Sequence, residues 1–215
     1  MLRVGLTGGV ASGKSVLAGM LAEHGAATCD ADRLVEELYR PRAVGTAAVA
    51  ALFGEDVLDV SGAVDRHALG RVVMGDTMAR RRLEAAIHPL VRAQLAAWLD
   101  SLAARDPAPE VAIAEAALFV ETGTYRDFDR IVVVSAPMAL RRERARAAGW
   151  TTSRFEQVVA AQLDDAGREA VADYVICNDA TAEALARRAA DLWHLLCEDA
   201  ASLASGRPLP PRRPR

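Results

Sequence analysis

The feature that most constrains the fold is a glycine-rich stretch near the start of the chain, Gly8-Gly9-Val10-Ala11-Ser12-Gly13-Lys14-Ser15. The apolar run 2–7 before it predicts a strand, and the apolar residues of 16–22 after it recur at helical spacing. A strand, a G-x-x-x-x-G-K-[ST] octapeptide and a helix in this order are typical of a phosphate-binding loop. A glycine-rich turn that binds nothing is the alternative, and the flanking elements favour the phosphate loop.

Each residue type in the phosphate loop has a chemical task. Its glycines allow main-chain conformations that a Cβ would block, so that backbone amides converge on phosphate groups. Lys14 would place an ammonium group on the β- and γ-phosphates, and Ser15 would offer its hydroxyl to Mg²⁺. Lys14 is the only lysine, since the other 25 of the 26 basic side chains are arginines. An arginine fork does not replace a compact point charge, so the position of this lysine favours phosphate binding.

Composition argues against several other classes of protein. The chain has 215 residues, 52% of them hydrophobic, enough for one α/β core with an insertion. The formal net charge is −3, and it becomes −7 when the four arginines after residue 205 are left out. An acidic body of this kind argues against a nucleic-acid-binding surface. Three widely spaced cysteines predict neither disulfides nor a zinc site. Without a secretory or membrane-spanning pattern, we expect a cytoplasmic protein.

Carboxylates follow two of the predicted strands. Asp30-Ala31-Asp32 comes after the short apolar strand 26–29, at the edge where open α/β sheets place their chemistry. An aspartate there is also a common helix N-cap, but the phosphate loop upstream favours catalysis by one of the pair. Glu115 follows the apolar strand 111–114 in a position from which carboxylates assist Mg²⁺, with an ordinary solvated glutamate as the alternative.

Between these two strands the chain shows helical periodicity only. Amphipathic segments cover 44–53, 66–74, 77–87 and 89–102. This helical stretch is longer than an ordinary crossover connection between two strands, so it predicts an inserted subdomain. His88-Pro89 would lie between two of its helices, with the proline in a first helical turn; the sequence leaves open whether His88 is structural or a ligand.

A basic helix follows the strongly apolar strand 131–134. Its cations lie within two turns, ahead of a flexible segment at 149–153; they are Arg141, Arg142, Arg144 and Arg146. A solvated basic face is the alternative. The need to neutralise a triphosphate favours the interpretation that these arginines belong to a lid that closes over the nucleotide. A last strand at 174–177 and a helix at 181–203 follow. The Pro- and Arg-rich residues 205–215 predict a disordered basic tail that buries nothing.

Taken together and in order, these motifs resemble the dephospho-coenzyme A kinase family over about residues 1–204. The resemblance rests on the phosphate loop, residues 30–32, His88-Pro89, the stretch 118–123, and the segments 160–162 and 172–178. It implies a three-layer α/β P-loop kinase of the nucleoside-monophosphate-kinase type with a five-stranded parallel sheet. The core would comprise 1–33, 106–136 and 171–204, the helical acceptor-binding insertion 34–105, the lid 137–170 and the tail 205–215.

The resemblance also implies a reaction, the transfer of the γ-phosphoryl group of ATP to the ribose 3′-hydroxyl of dephospho-coenzyme A. This reaction completes coenzyme A biosynthesis and uses Mg²⁺. The implied partners are small molecules, neither nucleic acid nor membrane. The oligomeric state stays open, with a monomer favoured.

Residue roles follow from the matched positions. Asp32 would be the general base and Lys14 the catalytic cation. ATP would be bound by Gly8 through Val16 together with Gln162 and Asn178. A lid arginine would also contact ATP; Arg142 and Arg146 are assigned to it, and the sequence leaves open whether Arg142, Arg144 or Arg146 has this role. The acceptor would be lined by Asp32, His88, Leu118 and Glu121, and Mg²⁺ would be held by Ser15 and Glu115.

Two rival functions share parts of this pattern. A kinase for another small acceptor has the same sheet, loop and lid, although the order of motifs after Asp32 favours dephospho-coenzyme A. A nucleotide-dependent switch is a rival from another class. Its guanine-selecting Asn-Lys-x-Asp motif is impossible here because the chain has no second lysine.

Overall fold

The computed structural model of the protein describes residues 1–211, which form a five-stranded sheet and its flanking helices. The strands are β1 Leu2–Gly8, β2 Ala27–Asp30, β3 Val111–Glu115, β4 Arg130–Ser135 and β5 Tyr174–Cys177. The α-helices are α1 Lys14–Glu23, α2 Ala31–Leu38, α3 Val44–Phe53, α4 Arg66–Val73, α5 Thr77–Ala103, α6 Met138–Ala147, α7 Thr152–Ala161, α8 Asp165–Glu169 and α9 Ala182–Ala204. Short 3-10 turns lie at Glu55–Val57 and Thr124–Asp127.

The strand order places β1 in the centre of the sheet. The order is β2-β3-β1-β4-β5, with β1 parallel to β3 and β4, and β4 parallel to β5. In an open parallel sheet, ligands bind beyond the carboxyl ends of the strands, and the phosphate loop continues directly from the end of central β1. The predicted fold class, a P-loop α/β protein with a five-stranded parallel sheet, is confirmed.

Both faces of the sheet are buried, which explains why β4 is almost entirely β-branched. Val132 and Val134 belong to a core cluster with residues of α1 and α9, whereas Ile131 and Val133 pack on the opposite face beside Ala172. Alternate side chains of a strand point to opposite faces, so a strand covered on both sides needs apolar residues throughout. Each such side chain contributes about 1.5–3 kcal/mol when fully buried.

The described chain divides into two compact units. The first combines Met1–Cys29 with the described residues from Ser101 onward, and the second is Asp30–Asp100. The insertion predicted from the sequence covers 34–105. The second unit has its own apolar core, made of Leu38, Val49, Val57, Val64, Leu69 and Ile87.

The predicted break at His88-Pro89 is wrong. One helix, α5, runs from Thr77 to Ala103 and contains Pro89 in its interior. Pro89 lacks a backbone N–H but is exposed, so water can satisfy the carbonyl that this N–H would have bonded. His88 is consequently a half-buried residue in the middle of a helix and does not lie in a connection between two helices.

The first residues of the predicted tail contact the core. Leu209 packs against the cluster that includes α9, and the Pro210 carbonyl accepts a 2.6 Å hydrogen bond from Arg130 Nη2. Arg130 Nε also donates to the fully buried Asp199 carboxylate at 2.7 Å, and Tyr174 donates its hydroxyl to the same carboxylate. The expectation that residues from 205 onward bury nothing is therefore wrong for Leu209, and residues 212–215 lie outside the described residues.

No helix within residues 1–211 is both long and apolar enough to cross a membrane.

Replacing Asp199 by Ala leaves the guanidinium of Arg130 buried without its main counter-charge. We expect the free energy of unfolding in urea to fall by about 3 kcal/mol, because the charge of the guanidinium stays buried after it has lost its partner. Asp191→Ala, an exposed carboxylate on the same helix, is the control and is expected to cost less than about 0.5 kcal/mol. Equal losses in both variants would contradict this view of the Arg130 network.

Candidate phosphate-binding site

The phosphate loop connects β1 to α1 and depends on glycine at specific positions. Gly13, which precedes α1, has a φ of 99°, in the region that L side chains rarely adopt. A Cβ on Gly13 would lie 2.2 Å from Asn178 Nδ2, and one on Gly8 would lie 2.4 Å from the Val134 carbonyl oxygen. Ala11 also has a positive φ, 58°. The loop therefore has a conformation that its surroundings must hold in place.

The amino end of α1 is suited to an anion. Gly13 has no side chain to cap the helix, and the first turn of α1 contains no acidic residue. The partial positive charge at the start of the helix is thus not neutralised by the helix itself. Backbone N–H groups at such a terminus, next to a glycine-rich loop, form a typical phosphate site.

Three chemically active side chains lie at this loop. Lys14 Nζ donates a 3.1 Å hydrogen bond to the Gly8 carbonyl, and Ser15 Oγ donates a 2.6 Å hydrogen bond to Glu115 Oε1. Glu115, the last residue of β3, pairs in register with Leu6 of β1, and its side chain is largely buried. The sheet register therefore brings the predicted metal pair, Ser15 and Glu115, together.

Ser15 and Glu115 fit a magnesium ion by the chemistry of their donor atoms. Mg²⁺ prefers hard oxygen ligands and, in phosphoryl-transfer sites, takes only one or two from the protein because phosphates and water supply the others. Within residues 1–211 there is no group of three or more His, Cys, Asp or Glu residues placed to hold a metal. The serine and glutamate oxygens are the donors that lie beside the phosphate loop.

Helix α6 presents Arg141 and Arg144 to the loop. Of these, only Arg144 is among the three arginines that the sequence leaves open for ATP. Arg141 Nε donates to the Val10 carbonyl at 2.9 Å, and Arg144 Nη1 donates to the Ser12 carbonyl at 3.4 Å. Arg142 Nη2 instead lies 3.8 Å from Glu156 Oε1. Residues three or four apart share a helix face, so Arg141 and Arg144 point to the loop together while Arg142 points elsewhere.

Arg146 lines a cavity of about 420 Å³ between α6 and α7. Its neighbours there include Arg142, Trp150 and Phe155. The assignment of Arg142 and Arg146 to ATP stays a prediction, and no contact with the phosphate loop supports it. Sequence reasoning recognised the basic helix but not which of its faces is turned towards the loop.

Two other residues assigned to ATP contact the main chain of the loop. Gln162 Oε1 accepts a 2.9 Å hydrogen bond from the Val10 N–H. Asn178 Nδ2 donates to the Ser12 carbonyl at 2.8 Å, and its Oδ1 accepts from Arg144. These contacts hold the loop from two sides, at Val10 and at Ser12.

Glu121 and Leu118 follow β3 and were assigned to the acceptor. Glu121 Oε1 accepts a 2.8 Å hydrogen bond from the Leu163 N–H and lies 3.8 Å from Arg168 Nη1. Leu118 is exposed. In the first unit, Glu121 therefore contacts two residues of the segment 137–170, which the sequence predicts to be a lid.

Asp32 and His88 belong to the second unit. Asp30 is the N-cap of α2, and its Oδ1 accepts a 2.9 Å hydrogen bond from the Asp32 N–H. The N-cap alternative thus explains Asp30 but not the carboxylate of Asp32, which is an exposed residue in the first turn of α2.

Comparisons with known proteins agree on one family. A family model described as "Dephospho-CoA kinase" matches residues 2–184. The dephospho-CoA kinase of Streptomyces avermitilis is 41% identical over 194 residues, which cover 90% of this chain and 93% of that protein. Among solved structures, TT1252 from Thermus thermophilus superposes with a TM-score of 0.76 at 29% identity, covering 95% of this chain and 97% of that one. A dephospho-CoA kinase from Campylobacter jejuni shares the fold, with a TM-score of 0.62 at 18% identity and coverage of 90% and 96%.

Gly13→Ala is expected to weaken nucleotide binding strongly, since a Cβ there collides with Asn178 and strains the backbone. Calorimetric titration with Mg·ADP should show a loss of affinity of about tenfold or more, equivalent to about 1.4 kcal/mol. The matched control is Gly19→Ala, within α1, where a Cβ meets nothing within 4 Å. This control should bind Mg·ADP normally and be more stable by about 0.8 kcal/mol. Normal binding by Gly13→Ala would contradict the loop geometry.

Proposed function

The chain belongs to the dephospho-coenzyme A kinase family, and we propose that its phosphate loop binds ATP while Asp32 receives the proton of the acceptor hydroxyl. Members of this family phosphorylate dephospho-coenzyme A with ATP in the final step of coenzyme A biosynthesis, so this protein is an ATP-dependent kinase of that alcohol. The observation that supports ATP binding at the phosphate loop is the convergence of Lys14, Ser15 and Glu115 there.

Phosphoryl transfer requires positioning and neutralisation of charge more than covalent chemistry from the protein. Lys14 would leave the Gly8 carbonyl and place its ammonium on the β- and γ-phosphates. The amino end of α1 would stabilise the same negative charge. The contacts with Val10 and Ser12 favour Arg141 and Arg144 as the lid cations nearest to the nucleotide.

A magnesium ion, when bound, supplies positive charge that neutralises the phosphate oxygens. Ser15 would hold the ion through its hydroxyl oxygen, and Glu115 would hold it through water. The direct hydrogen bond between these two side chains would then open.

Asp32 is proposed as the general base because a sugar hydroxyl must lose its proton as it attacks the γ-phosphorus. Its carboxylate is not the cap of α2, since Asp30 has that role. His88, Leu118 and Glu121 remain the proposed acceptor-side residues, on the strength of the family resemblance.

The proposed setting is the cytoplasm, with a monomer acting on two small molecules and no nucleic-acid partner. The acidic net charge and the three cysteines without disulfides support it.

Asp32→Ala should lower the turnover number by about 100-fold and change the KM for ATP much less, because a general base acts in the transition state. The assay measures the rate of ADP formation in the presence of dephospho-coenzyme A and, as a blank, in its absence. Glu37→Ala removes another exposed carboxylate of α2 and should leave turnover within about twofold of the wild type. An unchanged turnover number in Asp32→Ala would remove this residue from the mechanism.

Lys14→Ala should abolish phosphoryl transfer, and Lys14→Arg should not restore it, because a guanidinium fork does not fit a site shaped for a compact ammonium. Activity is measured by the same ADP assay, and folding is checked by thermal denaturation. Activity near that of the wild type in Lys14→Ala would show that the phosphates bind elsewhere.

A further inference from the structure

Two buried arginines of the lid share a single carboxylate, that of Asp165. The side chains of Arg141 and Arg168 are each 2% exposed. Arg168 Nη2 lies 2.5 Å from Asp165 Oδ1, and Arg141 Nη1 lies 3.3 Å from the same oxygen. Two guanidinium groups this close repel each other unless an anion lies between them, and the burial of both arginine side chains weakens screening by water. Asp165 supplies that anion.

The first arginine reaches the phosphate loop directly. Arg141 Nε donates to the Val10 carbonyl, and its guanidinium packs over Gly9, where a Cβ would lie 2.1 Å from Nη2. Gly9 therefore leaves the space that Arg141 occupies. Burial lowers the pKa of Arg141 and Arg168 adds to this lowering, whereas Asp165 opposes it.

The second arginine anchors the segment that carries Gln162. Arg168 Nη1 donates to the Leu163 carbonyl, and the Leu163 N–H donates to Glu121 Oε1. Leu163 directly follows Gln162, whose side-chain oxygen accepts the Val10 N–H. Both main-chain polar groups of Val10 are thus bonded from the lid, the carbonyl through Arg141 and the N–H through Gln162.

We propose that Asp165 is a positioning residue for ATP: by holding Arg141 and Arg168 together, it fixes Val10 and with it the shape of the phosphate loop. This inference rests on the proposed function, which places ATP at that loop. Asp165 acts through Arg141 and Gln162 and not on the nucleotide itself. Without its charge, the two guanidinium groups repel, Arg141 withdraws from Val10, and the loop loses the conformation that phosphates require.

The test compares two neighbouring aspartates that undergo the same chemical change. Asp165→Asn removes the shared charge. Asp164→Asn removes a charge next to it but keeps the N-cap of α8, since the Asp164 Oδ1 accepts from the Gly167 N–H and Asn caps helices equally well. The measurements are the turnover number, the KM for ATP at saturating dephospho-coenzyme A, and the dissociation constant of Mg·ADP by calorimetry.

Asp165→Asn is expected to raise the KM for ATP and the Mg·ADP dissociation constant about tenfold while the turnover number stays within about threefold of the wild type. Asp164→Asn should leave all three within about twofold. Asp165→Glu, which keeps the charge, should restore the KM to within about threefold. A merely structural role would lower the amount of folded protein without this separation of KM from turnover.

An unchanged or lowered KM for ATP in Asp165→Asn, or an equal rise in Asp164→Asn, would overturn the inference. Should Asp165→Asn fail to fold, Arg141→Gln breaks the same link to Val10 and leaves Asp165 paired with Arg168. It is expected to raise the KM for ATP equally, and an unchanged KM there would also overturn the inference. The proposed function is tested separately: activity in Lys14→Ala defeats it, whereas a normal KM in Asp165→Asn beside an inactive Lys14→Ala defeats only the role of Asp165.

Discussion

The conformation of the phosphate loop is the constraint on which the rest of this protein depends. Backbone amides converge on a phosphate only if the main chain between β1 and α1 takes angles that most residues avoid, as at Gly13 and Ala11. Such a conformation persists only when neighbouring groups hold it. Here Gln162 and Arg141 bond the two polar groups of Val10, and Asn178 and Arg144 bond the Ser12 carbonyl.

The parallel sheet explains why these groups meet. Glu115 ends β3, the basic helix α6 follows β4, and Asn178 follows β5, so each arrives at the same edge of the sheet. Burial of both faces stabilises that arrangement and leaves the edge for polar chemistry. A strand shift of one residue would turn Glu115 to the other face and separate it from Ser15.

Charge is distributed in a way that matches the reaction. The single lysine lies in the phosphate loop, and the cations of α6 that contact this loop are arginines held by hydrogen bonds to main-chain carbonyls. Arginine suits this fixed role because its fork binds oxygens in a set geometry, whereas a lysine remains a mobile point charge. The same property of arginine applies at Asp165, whose carboxylate accepts hydrogen bonds from two buried guanidinium groups.

Much of this protein could be predicted from its sequence, because the responsible signals are local. The octapeptide 8–15, the apolar strands and the turn residues determine the conformation of the few residues around them, so the sequence alone predicts the fold class, the phosphate loop and the family. The sequence could not tell that Arg141 and Arg144, and not Arg142, contact the loop, because periodicity defines a helix face without saying what lies opposite it. It also gave no sign of the Asp165 bridge, of the continuous helix through Pro89, or of the contact between Pro210 and Arg130. Each of these depends on contacts between residues far apart in the chain, which only the tertiary structure decides.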